Sequence, residues 1–137
     1  MVDELMPFAK LMIKEHGEFM PYGGYMETSG EIVHEGATTG EERSKSKDLI
    51  EILRRAHKKQ AETKAAKATC IVYDLSIAPP STGVRQDGMA FEIDHQDGYS
   101  AVLVYPYQIN DKKIILNEPA FGTRGTGEIF GGDIPPR

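Results

Sequence analysis

Apolar positions recur at helical spacing in two stretches of this chain and alternate with polar ones in most of the rest. Between residues 3 and 16, Leu5, Phe8, Ala9, Met12 and His16 fall three or four apart, which predicts a short amphipathic helix. Pro7 suits only the first turn of that helix, where a missing N–H costs little, and Gly17 supplies a left-handed stop. The segment EFMPYGGYMETSGEIVHEG then carries two apolar runs around Thr28-Ser29-Gly30-Glu31. Gly30 accepts positive φ, so this stretch predicts strand, turn, strand. GATTGEERSKSK is polar and aperiodic, and a mobile loop is expected over residues 36–45. A second helix is predicted from Ser46 to Lys67, with Leu49, Ile52, Leu53, Ala56 and Gln60 on one face. Glu51 precedes Arg55 by four positions, and acids early with lysines late match the helix dipole.

ATCIVYDLSIAPP is apolar on both alternating faces, with Cys70 and Val72 on one and Ile71, Tyr73, Leu75 and Ile77 on the other. That pattern marks a central strand covered on both sides and stopped by Pro79-Pro80. STGVRQDG reads as a loop, MAFEIDHQ and YSAVLVYPYQI as strands, NDKK as a turn and IILNE as a last short strand. Residues 118–137 form a Gly/Pro-rich tail with Phe121, Ile129 and Phe130 as anchors. The order is α-β-β-α-β-β-β-β. Short turns between consecutive strands imply an antiparallel sheet of five to six strands. The two helices are expected to bury their stripes on one face of it, giving a two-layer α+β fold in a single domain over residues 1–137. In topology alone the order resembles profilin-like and roadblock-type domains.

The stretch EIDHQDGYSAVLVYPYQIN gathers a histidine, three acids and three tyrosines. Asp97-Gly98 is a two-residue hairpin signal, and closing there pairs His95 with Ser100, Ile93 with Val102 and Phe91 with Val104. One face then carries Phe91, Ile93, Val102 and Val104. The other carries Tyr99, Leu103 and Tyr105 beside Glu92 and Asp94, and these five residues are the candidate binding surface. The same segment is thin as a reactive centre. His95 with Asp97 makes at most a loose pair, too few ligands for a metal. Glu92 and Asp94 lie roughly 7 Å apart along a strand, a spacing that overlaps the carboxylates of inverting glycosidases but also fits solvated acids on a sheet. Cys70 sits in an apolar strand, where a thiol behaves as a small hydrophobe. His34-Glu35 has no nucleophile in view, no serine lies in G-x-S-x-G, and GTRGTGEIFGG lacks the Gly-Lys-Ser/Thr ending of a phosphate loop.

Charge and length narrow the partners. At 137 residues and a formal net charge of −5, the chain has the size of one domain and lacks the basic surface of a dedicated nucleic-acid or anionic-membrane binder. A basic protein partner suits it. A lone cysteine excludes an intramolecular disulfide. The N-terminus has no uninterrupted apolar signal region and no stretch reaches the roughly 20 apolar residues that span a bilayer, so a cytoplasmic location is expected. EFMPYGGYMETSGEIVHEGA and the run from ATCIV to YPYQI resemble a family of small uncharacterised bacterial proteins, over Glu18 to Asn110. The resemblance implies a bacterial single-domain protein and carries no site residue. The expected function is a noncatalytic protein-binding or assembly module, a homodimer or a hetero-partner through the outward sheet face, with no cofactor and no metal. Three alternatives stand beside it: an immunity-type protein that neutralises a basic toxin, a ligand-sensing domain, and a small hydrolase using Glu92, Asp94, His95 or His34.

Overall fold

The computed structural model describes residues 1–40, 45–78, 83, 85–111, 113–116 and 121–130. Helix α1 (Val2–His16) leads into strands β1 (Tyr22–Met26) and β2 (Ile32–Glu35), and helix α2 (Ser46–Glu62) follows. Strands β3 (Ala68–Ile77), β4 (Gln86–His95), β5 (Ser100–Asn110), β6 (Lys113–Leu116) and β7 (Phe121–Arg124) come next, and a single 3-10 turn (Glu128–Phe130) closes the described chain. All strand pairs are antiparallel in one open sheet of order β2-β1-β3-β4-β5-β6. The fold is α+β, as the element order predicts. The seventh strand comes from the segment read as tail. β6 pairs with Tyr107–Asn110 of β5, and β7 takes the next stretch of the same edge, Ala101–Val104.

Gly23 and Gly24 of β1 show where the helices lie. A Cβ on Gly24 would stand 3.0 Å from Leu5 of α1, and one on Gly23 would stand 3.2 Å from His57 of α2. Consecutive strand residues point to opposite faces. The helices therefore cover opposite faces of the sheet, in three layers, and the expectation of two layers with both helices on one face is corrected. The cause was visible in β3: a strand apolar on both sides needs a cover for each, and each helix has a single stripe to give. α1 packs on Cys70, Val72, Met89, Phe91 and Tyr107, while α2 turns Leu49, Leu53 and His57 toward β1 and β3.

α1 starts at Val2, so Pro7 lies in its second turn, and its buried stripe keeps Leu5 and Ala9 of the predicted set but takes Met6 and Ile13 in place of Phe8, Met12 and His16. Gly17 caps it in the left-handed region at φ 79°, its N–H donating to the carbonyl of Ile13. Tyr22 pins the helix to the sheet. Its hydroxyl accepts from the N–H of Ala9 and donates to the carbonyl of Leu5, standing inside what would be one i to i−4 helical bond. Burial pushes that hydroxyl far above the usual tyrosine range, so it remains a donor. α2 ends at Glu62, short of Lys67, and Glu51 pairs with Arg54 at 3.8 Å instead of Arg55. Cys70 is fully buried, and burial pushes its thiol far up and away from thiolate. Residues 41–44 of the predicted loop at 36–45 and the Pro79-Pro80 stop lie outside the described residues.

The β4–β5 turn contains one residue more than expected. The His95 N–H donates to the Tyr99 carbonyl at 2.8 Å, the Gly98 N–H donates to the His95 carbonyl at 3.0 Å, and Gly98 takes φ 96°. This is a three-residue loop with glycine in the left-handed region, a common alternative to the two-residue turn. Asp94 consequently pairs with Ser100 and Phe91 with Leu103. A one-residue slip carries every β5 side chain to the other face. Leu103 and Tyr105 therefore share the face of Phe91, beneath α1, and Tyr105 meets Phe91 edge-on at 5.5 Å. Glu92 and Asp94 share the opposite face with Val102 and the α2 side. The single face proposed for Tyr99, Leu103, Tyr105, Glu92 and Asp94 does not exist as such.

Candidate binding site

Two polar clusters hold α2 to the sheet. Arg54 projects from α2 so that Nη2 donates to both carboxylate oxygens of Glu92, at 2.8 and 3.0 Å. Glu128 of the 3-10 turn joins from the other side, 3.5 Å from Arg54 and 3.4 Å from Lys58. Burial works against the Arg54 charge, but Glu92, Glu128 and Glu51 outweigh it and raise its pKa. Glu92 is thus ion-paired under α2. The second cluster is His57, with no exposed surface, whose Nε2 lies 2.8 Å from Glu35 at the end of β2. Gln60 donates to the other Glu35 oxygen at 2.7 Å. Burial would raise the Glu35 pKa, yet the hydrogen bonds from His57 and Gln60 prevail and hold it below the usual range. His57 escaped the sequence reading, although it continues the four-residue step from Leu49 to Leu53 on the buried face. Both clusters tie α2 to the strands beneath it and serve as latches.

His34 and His95 do not converge. His34 is on β2, 3.3 Å from Glu4 of α1, and His95 ends β4, with β1 and β3 between them. Three strand spacings put them roughly 14 Å apart across the sheet. Among the described residues, no three His, Cys, Asp or Glu side chains come together in a way that would hold a metal ion.

The open space lies elsewhere, at the end of the sheet where the β4–β5 turn meets β7. A cavity of about 700 Å³ is lined there by Asp94, Tyr99, Ser100, Leu103, Arg124 and Phe130, among others. Neither helix contributes to its wall. It wraps around the sheet end: Leu103 and Arg124 belong to the α1 side, Asp94 and Ser100 to the α2 side. Its volume falls in the range of sites that enclose small ligands or side chains, roughly 300 to 1,000 Å³.

Ser100 organises this wall. Its hydroxyl donates to Asp94 at 2.7 Å and accepts from the N–H of Gly127 at 3.0 Å, while its carbonyl accepts from the N–H of Gly125. The returning chain comes so close that a Cβ on Gly125 would stand 2.3 Å from the Ser100 hydroxyl and one on Gly122 would stand 2.9 Å from Leu103. Those glycines, read in the sequence as part of a Gly/Pro-rich tail, are what let β7 and its continuation lie against β5. Burial raises the pKa of Asp94, the bond from Ser100 opposes it, and Glu128 adds to the rise, leaving the carboxyl above its ordinary value. Tyr99 is 55% exposed at the rim.

Of the five predicted binding residues, Tyr99, Leu103 and Asp94 meet at this cavity. Glu92 is held by Arg54, and Tyr105 is packed on Phe91. No family model matches the chain, and no curated protein or solved structure matches it either. No helix among the described residues is long and apolar enough to cross a membrane.

Proposed function

We propose that this protein is a noncatalytic binding module that seats an extended segment of a basic partner in the cavity at Tyr99, Leu103 and Asp94. One observation carries the reading: an exposed aromatic, an apolar wall and a half-buried carboxylate line one cavity at the sheet end. Tyr99 offers large contact area with a polar tip and little rotamer freedom to lose. Asp94 sits where its charge is poorly solvated, and an arriving ammonium or guanidinium offsets that cost. The net charge of −5 steers such a partner toward the surface. The outward sheet face first expected to serve is taken by a helix on each side, which moves the seat to the sheet end. Neutralisation of a basic toxin, as in immunity proteins, is one form this role takes.

The test begins with short peptides selected by display on the native protein, followed by affinity measurements against Tyr99→Ala and Asp94→Asn. Asparagine can still accept the Ser100 bond, so the fold should survive that change. Each variant is expected to bind the selected basic peptides about ten- to thirtyfold more weakly, as central contact residues do. Affinity should also fall as pH drops through the raised Asp94 range, because protonation removes the charge the partner reads. Unchanged affinity in both variants, or selection of peptides without basic residues, defeats the proposal.

A further inference from the structure

A second groove, between α1 and β6, has the opposite electrostatic character from the chain as a whole. Pro7, Lys10, Leu11 and Lys14 line it from α1, and Lys113 and Ile114 line it from β6. The four helix positions are spaced i, i+3, i+4 and i+7, so they form one face, next to the stripe that packs on the sheet. The groove has a volume of about 560 Å³ and shares no residue with the cavity at the sheet end.

Three features coincide here. Among the described residues, the lysine and arginine ion pairs all belong to Arg54 and Lys58, so Lys10 and Lys14, and Lys113 at the groove's rim where it alternates with Ile114, have no carboxylate in pairing range. Apolar surface also lies open. Leu11 is 47% exposed, and Ile109, the cross-strand partner of Ile114, is 46% exposed. Finally, β6 ends the strand order, so its outer backbone edge has no strand partner among the described residues. A free strand edge, an apolar floor and unpaired cations together describe a seat for an added strand with acidic and apolar side chains.

We infer that this groove docks an acidic, extended segment of a protein partner along β6, with carboxylates on Lys10, Lys14 and Lys113 and apolar side chains on Leu11 and Ile114. Three lysines without an arginine or a stacking aromatic give little for nucleic acid to use, and they fall short of the polybasic clusters that hold anionic lipid. The apolar floor and strand edge are chemistry that a peptide uses and a free phosphate does not.

Fluorescence anisotropy with a labelled short peptide alternating Glu and Leu tests this, against its Lys–Leu counterpart. A short single-stranded DNA and phosphatidylserine-containing vesicles are run alongside. The protein should bind the Glu–Leu peptide and not the Lys–Leu one. The triple change Lys10→Glu, Lys14→Glu, Lys113→Glu should weaken that binding about tenfold, since it turns attraction for the peptide's carboxylates into repulsion. Raising salt should weaken it too. Leu11→Ser, which leaves the lysines in place, should weaken it independently, while Tyr99→Ala should leave it unchanged and so separate this groove from the cavity. No binding of the Glu–Leu peptide overturns the inference. So does equal binding by the triple variant, or lysine-dependent binding of DNA or vesicles as tight as that of the peptide.

Discussion

Gly24→Ala is expected to destabilise the fold by about 2 to 4 kcal/mol, and Gly23→Ala by a similar amount from the other side of the sheet. In a strand alanine is ordinarily harmless. Here a Cβ at position 24 would lie 2.9 Å from the carbonyl oxygen of Val33 as well as 3.0 Å from Leu5, and one at position 23 would lie 2.7 Å from the carbonyl oxygen of Cys70. Those oxygens belong to the neighbouring strands, and β1 is hydrogen-bonded between β2 and β3. Neither oxygen can retreat without opening the ladder. The helices cannot retreat cheaply either, since Leu5 and His57 are both fully buried. Thermal unfolding should show a fall of roughly 6 to 20 °C for each variant. Gly36→Ala makes the control, because a Cβ there meets nothing within 4 Å, and it should stay within about 0.5 kcal/mol of wild type. A Gly24→Ala protein that melts with the wild type would mean that α1 does not seat Leu5 against β1.

His57→Ala should cost about 3 kcal/mol at neutral pH, combining a cavity beneath α2 with a carboxylate left without one of its two side-chain partners. Its pH dependence identifies the latch. Glu35 has a depressed pKa in the folded protein, so its contribution is present above the unfolded carboxylate value and lost as pH falls through the depressed one. The wild type should therefore shed this stability in acid, and the gap between wild type and His57→Ala should narrow there. Chemical denaturation of both proteins at neutral and acid pH measures the gap. A constant gap across that range would assign the loss to the cavity alone, and no loss at neutral pH would remove the latch altogether.

The sequence held much of this fold in its periodicities. The β1–β2 turn at Gly30, the α1 stop at Gly17 and the two-sided apolar character of β3 all lie where the pattern places them. The β4–β5 register was not legible for a physical reason. Val102 and Val104 are as apolar as Leu103 and Tyr105, so either face of β5 satisfied the alternation, and Asp97-Gly98 fits a two- or a three-residue loop. One residue in that loop decides whether Leu103 lies with Phe91 or with Glu92. His57 hid in plain spacing, because a histidine on a helix reads as polar until Glu35, 22 positions earlier, is brought to it. β7 hid behind its glycines, whose reason is the close approach to Ser100 and Leu103. Tyr99, Leu103 and Asp94 were grouped from an incorrect face assignment, and they line one cavity at the sheet end for a different reason.

The proposed seat for a basic partner is tested by titrating isotope-labelled protein with a basic peptide selected on the native fold and following the backbone amide resonances. The largest shifts are expected at Tyr99, Ser100, Leu103 and Arg124, which line the cavity, with α1 and β6 nearly unmoved. Shifts concentrated on α1, β2 or β6, with those four resonances still, would contradict a binding site at the end of the sheet.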